Sequence, residues 1–174
     1  SSGSAYHSDL RLSSTVQALF ISAHNTTSGV GLNRQITSRL PVSTGGATFS
    51  TQVASGDSAI GEIKLSYENT THSHVPAQTA HRVTPYYHAP ACNRGDYSGV
   101  SMLSYCLNTG SLDPVGSSNF GKLTGVTLSV TPTDAGKAAA ADNNSPQTFS
   151  VDCAVLAWDV IRISGGTAGK PMCY

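Results

Sequence analysis

The residues best equipped to do chemistry are histidines. His72-Ser73-His74 puts two imidazoles on the same side of an extended segment, a spacing that some metal sites use. His81 and His88 lie in a Pro-rich stretch that could fold back toward them. No Asp, Glu or Cys stands at ligand spacing beside the pair, which follows a strand in a polar turn. Surface histidines are therefore expected, and no metal. Serines are abundant, but no G-x-S-x-G elbow occurs, and the 10 acidic residues offer no strong carboxylate pair. Gly165-Gly166-Thr167-Ala168-Gly169-Lys170 superficially resembles a phosphate loop. Pro171 follows the lysine and no helix is expected after it, so the phosphate reading fails.

Two further motifs concern recognition. Arg94-Gly95-Asp96 is the tripeptide that integrins read in exposed loops, with Gly95 able to form the turn that splays the two charges. Three-residue matches arise easily by chance, and a plain turn leading into a strand near Val100 is the preferred account. Arg94, Gly95 and Asp96 are candidate receptor contacts only. Asn25-Thr26-Thr27, Asn69-Thr70-Thr71 and Asn143-Asn144-Ser145 fit the N-glycosylation pattern, and Asn-Thr-Thr also suits a turn after a strand. The turn reading is preferred.

The composition narrows the classes. At 174 residues the chain suits one domain, long enough to bury roughly 70% of its unfolded surface. Only 11% of residues are charged, well under the roughly 25% usual in soluble proteins. Ten basic and ten acidic side chains cancel, and no basic run exists, which argues against direct nucleic-acid binding. Near-zero net charge also leaves little long-range repulsion to oppose packing of subunits. Cys92, Cys106, Cys153 and Cys173 are far apart, so zinc is disfavoured and disulfides are unforced. Cys106 and Cys153 fall within apolar strand patterns, where buried free thiols are expected. No charged-then-apolar leader shows, nor any apolar stretch of about 18 residues. The start at Ser1-Ser2-Gly3-Ser4 reads as a piece of something longer, or as a processed end.

Period-two alternation dominates the chain, the mark of strands with a buried face. Even positions from Leu10 to Phe20 read Leu10, Leu12, Ser14, Val16, Ala18 and Phe20, and Leu19 and Ile21 suggest cover on both faces. Ile63, Leu65 and Tyr67 alternate with polar residues, as do Val126, Leu128 and Val130. The longest pattern runs from Phe149 to Ile163, apolar on both sides in its middle, and is expected to be a central strand. Shorter strands are expected near residues 35–40, 47–53 and 100–107. Residues 75–90 read as a long ordered loop with a helical turn, and residues 136–146 as an exposed, mobile loop. About seven or eight strands with hardly any helix predict an all-β antiparallel sandwich, for which an eight-stranded jelly roll is one solution.

Particular segments resemble one family. Leu65-Ser66-Tyr67-Glu68-Asn69-Thr70-Thr71 is similar to a strand and turn of iridovirus major capsid proteins, among the nucleocytoplasmic large DNA viruses. Thr84-Pro85-Tyr86-Tyr87-His88-Ala89 resembles their aromatic loop. Gly116-Ser117-Ser118-Asn119-Phe120-Gly121-Lys122-Leu123 is similar to their Gly-Ser-Thr-Asn-aromatic signature, and Val160-Ile161-Arg162-Ile163 with the tail to Pro171 resembles their last strand. The matches keep the family's order from about Asp9 to Pro171. Residues 28–58 and 89–99 match weakly.

The resemblance implies the second half of a double jelly-roll protein, with residues 1–174 forming a single jelly-roll domain. It also implies a homotrimer, a pseudo-hexagonal capsomer tiled with neighbouring capsomers and minor capsid proteins into an icosahedral shell. That shell would cover an inner membrane and a DNA core, in a virion assembled in host cytoplasm. No cofactor and no catalysis are expected. Tyr86, Tyr87 and Trp158 are candidate contact residues, with core the favoured place for Trp158. A lectin-like or adhesin binding module is the alternative, and a cupin-like metalloenzyme using His72 and His74 the third reading.

Overall fold

The computed structural model describes residues 5–26, 59–89, 99–113, 115–141 and 148–169. Eight strands among them fall into two four-stranded sheets, and every pairing is antiparallel. The first sheet runs β1 (Tyr6–Asp9), β7 (Thr127–Pro132), β3 (Ile60–Tyr67), β4 (Thr70–Pro76). In the second, β2 (Thr15–Asn25) is flanked by β8 (Phe149–Trp158) on one edge and by β5 (Val100–Ser104) and β6 (Ser118–Asn119). A separate hairpin, β9 (Arg162–Ser164) and β10 (Thr167–Gly169), follows β8. Two short helices interrupt the strands, α1 (Thr84–His88) and α2 (Asp134–Ala140).

The sheets close on one apolar core. Val16, Leu19, Ile21 and Ala23 from β2 meet Ile60, Ile63, Leu65, Leu128 and Val130 from the opposite sheet, all nearly inaccessible. Ile63 and Leu65, and Leu128 and Val130, stand two apart, as the alternation predicts. The all-β sandwich expected from sequence is the observed architecture.

Three expectations are corrected by the strand ends and registers. The pattern from Leu10 to Phe20 is not one strand: β1 ends at Asp9 in one sheet and β2 begins at Thr15 in the other. Leu10 and Leu12 still pack against the core while the chain crosses, so alternation survives a change of sheet. Within β2 the phase then slips. The pairing with β8 jumps from Val16↔Ala157 to Ala18↔Leu156, leaving Gln17 as a bulge. Val16 and Leu19 consequently share the core, whereas Ala18 and Phe20 join Met102 and Ala89 in a second cluster. The central, doubly covered strand is β2. Among the described residues β8 pairs only with β2 and leaves Ala154 and Leu156 exposed, which overturns the central place expected for it.

The two irregular stretches are more helical than expected. Residues 77–88 form one helical segment, with a widened turn at Thr79–Val83 whose last link is Thr84 N–H donating to Thr79 O. Pro85 has no N–H to close the next α-turn, which favours such a widening. Ala77 and Ala80 are buried, their small side chains letting the segment lie close to the sheets. The alanine stretch expected to be a mobile loop is helical through Ala140 in α2. Thr133 caps it by accepting from Gly136 N–H at 3.1 Å. Gly136 is buried, where an added Cβ would stand 3.1 Å from Ala59 O.

Gly116-Ser117-Ser118-Asn119-Phe120, the most specific of the resembling segments, has a structural explanation at each distinctive position. Gly116 takes φ +114°, and a Cβ there would lie 3.0 Å from Tyr105 O. Asn119 accepts from Gly121 N–H at 3.1 Å and so caps a single 3-10 turn, Phe120–Lys122. Phe120 is 1% exposed and lies edge-on to Tyr105 and Tyr67. Replacing Gly116 with Ala should cost about 1–3 kcal/mol through backbone strain alone. Urea unfolding with an unchanged midpoint would contradict that.

Candidate assembly surface

The histidines do not converge. β4 carries His72 and His74, so they lie in a strand and not in a polar turn; the turn is Glu68-Asn69, both at positive φ, the geometry of a tight hairpin. Register shifts between Leu65↔Ser73 and Ser66↔Thr71, making His72 a bulge. Its ring stacks on Tyr67 at 3.8 Å, while His74 meets Glu62 across the ladder at 3.2 Å. His24 pairs with Asp152 at 2.6 Å, and His7 bonds Ser129 Oγ at 2.7 Å. Among the described residues no group of three or more His, Cys, Asp or Glu side chains is arranged to hold a metal ion.

His81 and His88 have a structural task. His81 Nδ1–H donates to Val100 O at 3.0 Å, and His88 Nδ1–H donates to Cys106 O at 2.8 Å. A carbonyl can only accept, so each bond selects the Nδ1–H form. Thr109 adds bonds from its N–H and its hydroxyl to His88 O. Together these fasten the helical segment to β5 and the loop after it.

Remaining sequence candidates are distributed as follows. Arg94, Gly95 and Asp96 lie outside the described residues, as do Cys92, Cys173 and the third Asn-x-Ser/Thr site. Asn25 is buried at the end of β2, and Thr26 extends the ladder to Thr148 through N–H to O at 2.8 Å instead of turning locally. Gly165 and Gly166 hold φ +59° and +77° in the β9–β10 turn, a hairpin role for the discarded phosphate-loop motif. Cys106 is a buried free thiol, and Cys153 is free and half-buried, its pKa raised by burial.

Tyr105 is the most strongly shifted group. Burial pushes its phenol well up, and the neighbouring Tyr67 and Cys153 add to this; Tyr67 is itself raised, chiefly by burial. A raised folded-state value means that the neutral phenol contributes full stability below the ordinary value near 10.0, and that this is lost as pH climbs above it. The urea midpoint should therefore fall above about pH 10, less steeply in Tyr105→Phe. Parallel declines in both proteins would rule Tyr105 out.

Several large apolar side chains stay open to solvent. On the helical segment Val83, Tyr86 and Tyr87 are exposed, the two tyrosine rings edge-to-face at 5.1 Å. Leu107 and Leu112, 93% exposed in the latter case, stand on the loop tied to His88. Val160, Ile161 and Ile163 are open in the segment that follows β8. Clustered exposed apolar side chains mark surfaces that meet another protein. Tyr86 and Tyr87 are thus available for contact as expected. Trp158 is half-buried where β8 pairs with Thr15, between the two readings for it. Val83, Leu107 and Leu112 were missed, because no periodicity distinguishes an exposed loop leucine from a core one.

Comparison with known proteins agrees with the architecture. The family described as large eukaryotic DNA virus major capsid protein matches residues 1–169. The major capsid protein of Invertebrate iridescent virus 6 is 34% identical over 172 residues, 94% of this chain and 36% of that protein. That of Rana tigrina ranavirus is 30% identical over 96% of this chain and 37% of its own length. The chain thus spans little more than a third of these relatives. Among solved structures, the PBCV-1 VP54 crystal structure fitted into a reconstruction of the virophage Sputnik superposes with TM-score 0.67 at 13% identity, covering 98% of this chain and 46% of that one. The Faustovirus major capsid protein superposes with TM-score 0.55, over 90% of this chain and 32% of that one. These neighbours are jelly-roll capsid proteins, and the fold expected from alternation is theirs. The chain belongs to the large eukaryotic DNA virus major capsid protein family, with iridovirus relatives along nearly its whole length.

Proposed function

We propose that the chain is the second jelly roll of a longer capsid polypeptide, a single domain whose work is structural. Three copies of that polypeptide form a pseudo-hexagonal capsomer, which packs against neighbouring capsomers and minor capsid proteins in an icosahedral shell. The shell encloses the inner membrane of the virion and is assembled in host cytoplasm; the domain makes no direct contact with nucleic acid and carries out no reaction. The observation carrying this reading is the family match over residues 1–169. The exposed tyrosines and leucines supply surface for association, and the near-zero net charge leaves little repulsion to overcome.

Electron microscopy of the full-length product tests it. Trimeric particles or shell fragments are the expected images. A monomer that instead binds a cell-surface ligand saturably would favour the adhesin alternative, and Arg94-Gly95-Asp96 would then be its first residues to probe. An Asp96→Glu variant with unchanged cell attachment would remove those residues from consideration.

A further inference from the structure

The segment after β8 is an amphipathic hairpin whose residues are all exposed, with no buried face among the described residues. Its strands pair Ser164↔Thr167, Ile163↔Ala168 and Arg162↔Gly169. Ile163 and Ala168 therefore share one face, with Ile161 two residues before, while Arg162, Ser164 and Thr167 take the other. Val160, Ile161 and Ile163 are 65%, 72% and 76% exposed. An isolated two-stranded hairpin is marginally stable in water even with a turn as favourable as Gly165-Gly166. Such a hairpin needs a surface to cover its apolar side.

We propose that the Ile161–Ile163–Ala168 face docks onto the part of the same polypeptide that lies outside this chain. This rests on the reading of the chain as part of a longer protein. The relatives supply the argument for the occupant: the 172 matched residues are 36% of one such protein, so the larger part of it lies elsewhere. A covalently linked surface is present at high effective concentration before any second copy is met. The exposed face also carries no charge, as suits a permanent contact more than a transient one.

The test uses full-length protein. Its mass shows whether the longer polypeptide exists. A photo-crosslinking residue in place of Ile163 is then incorporated into particles assembled from mixed ordinary and 15N-labelled copies. Crosslinks joining position 163 to the preceding part of its own chain are expected, together with at least 100-fold slowed amide exchange across residues 160–169. Crosslinks between light and heavy chains would transfer the contact to a second copy and overturn the proposal. Unslowed exchange in the wild-type protein would overturn it without any variant having to fold.

Discussion

Phe120→Ala should lower the unfolding free energy by about 3–5 kcal/mol, the range for removing a buried aromatic ring. Phe120 has only 1% of its surface accessible and sits between Tyr105, at a centroid distance of 5.5 Å, and Tyr67, at 6.2 Å. Both tyrosines meet it edge-on, the arrangement in which the positive ring edge faces the negative face. Truncation leaves a void that these large rings cannot fill, because backbone pairing anchors Tyr67 in β3. A domain with the usual stability of about 5–15 kcal/mol would lose much of it. The urea midpoint should shift with little change in slope. A loss below 1 kcal/mol would mean that Phe120 is not the keystone its burial implies.

Leu19→Ala should cost about 2–5 kcal/mol, with Leu156→Ala as its control within about 0.5 kcal/mol. The two residues belong to paired strands one step apart in register: Leu19 faces Val155, and Leu156 faces Ala18. Leu19 is fully buried between the sheets, whereas Leu156 is 36% exposed on the outer face of β8. The contrast measures which side of β2 and β8 holds the sandwich together. Equal effects would show that the outer face is covered in the free chain.

Much of this fold is legible in the sequence because burial on one face writes a period of two. Ile63, Leu65, Leu128 and Val130 were readable at once for that reason. Misreadings cluster where one residue changes the phase or the sheet without disturbing the pattern. Gln17 is one extra residue, and its insertion moves the core set from Val16 to Leu19 and Ile21. The run to Ile163 looked like one long central strand, but β8 stops at Trp158 and the chain enters a hairpin. Exposed Ile161 and Ile163 carry the same letters as core residues; only what lies beside them differs. Arg94, Gly95 and Asp96 lie outside the described residues, and their receptor role stays a proposal. The contact surface was legible only in part, since Tyr86 and Tyr87 announce themselves by size while Leu107 and Leu112 do not.

The strand ladder also sets a schedule for synthesis. β2, the middle of its sheet, finds its long partner in β8, and Thr26 bonds Thr148 across 122 residues of sequence. His7 in β1 likewise reaches Ser129 across 122. The first sheet is incomplete until β7 (Thr127–Pro132) has been made and the second until β8 (Phe149–Trp158), so β2 lacks its long partner through most of translation. Distant pairing of this kind folds slowly and exposes sticky intermediates, making the nascent chain a natural client for chaperones.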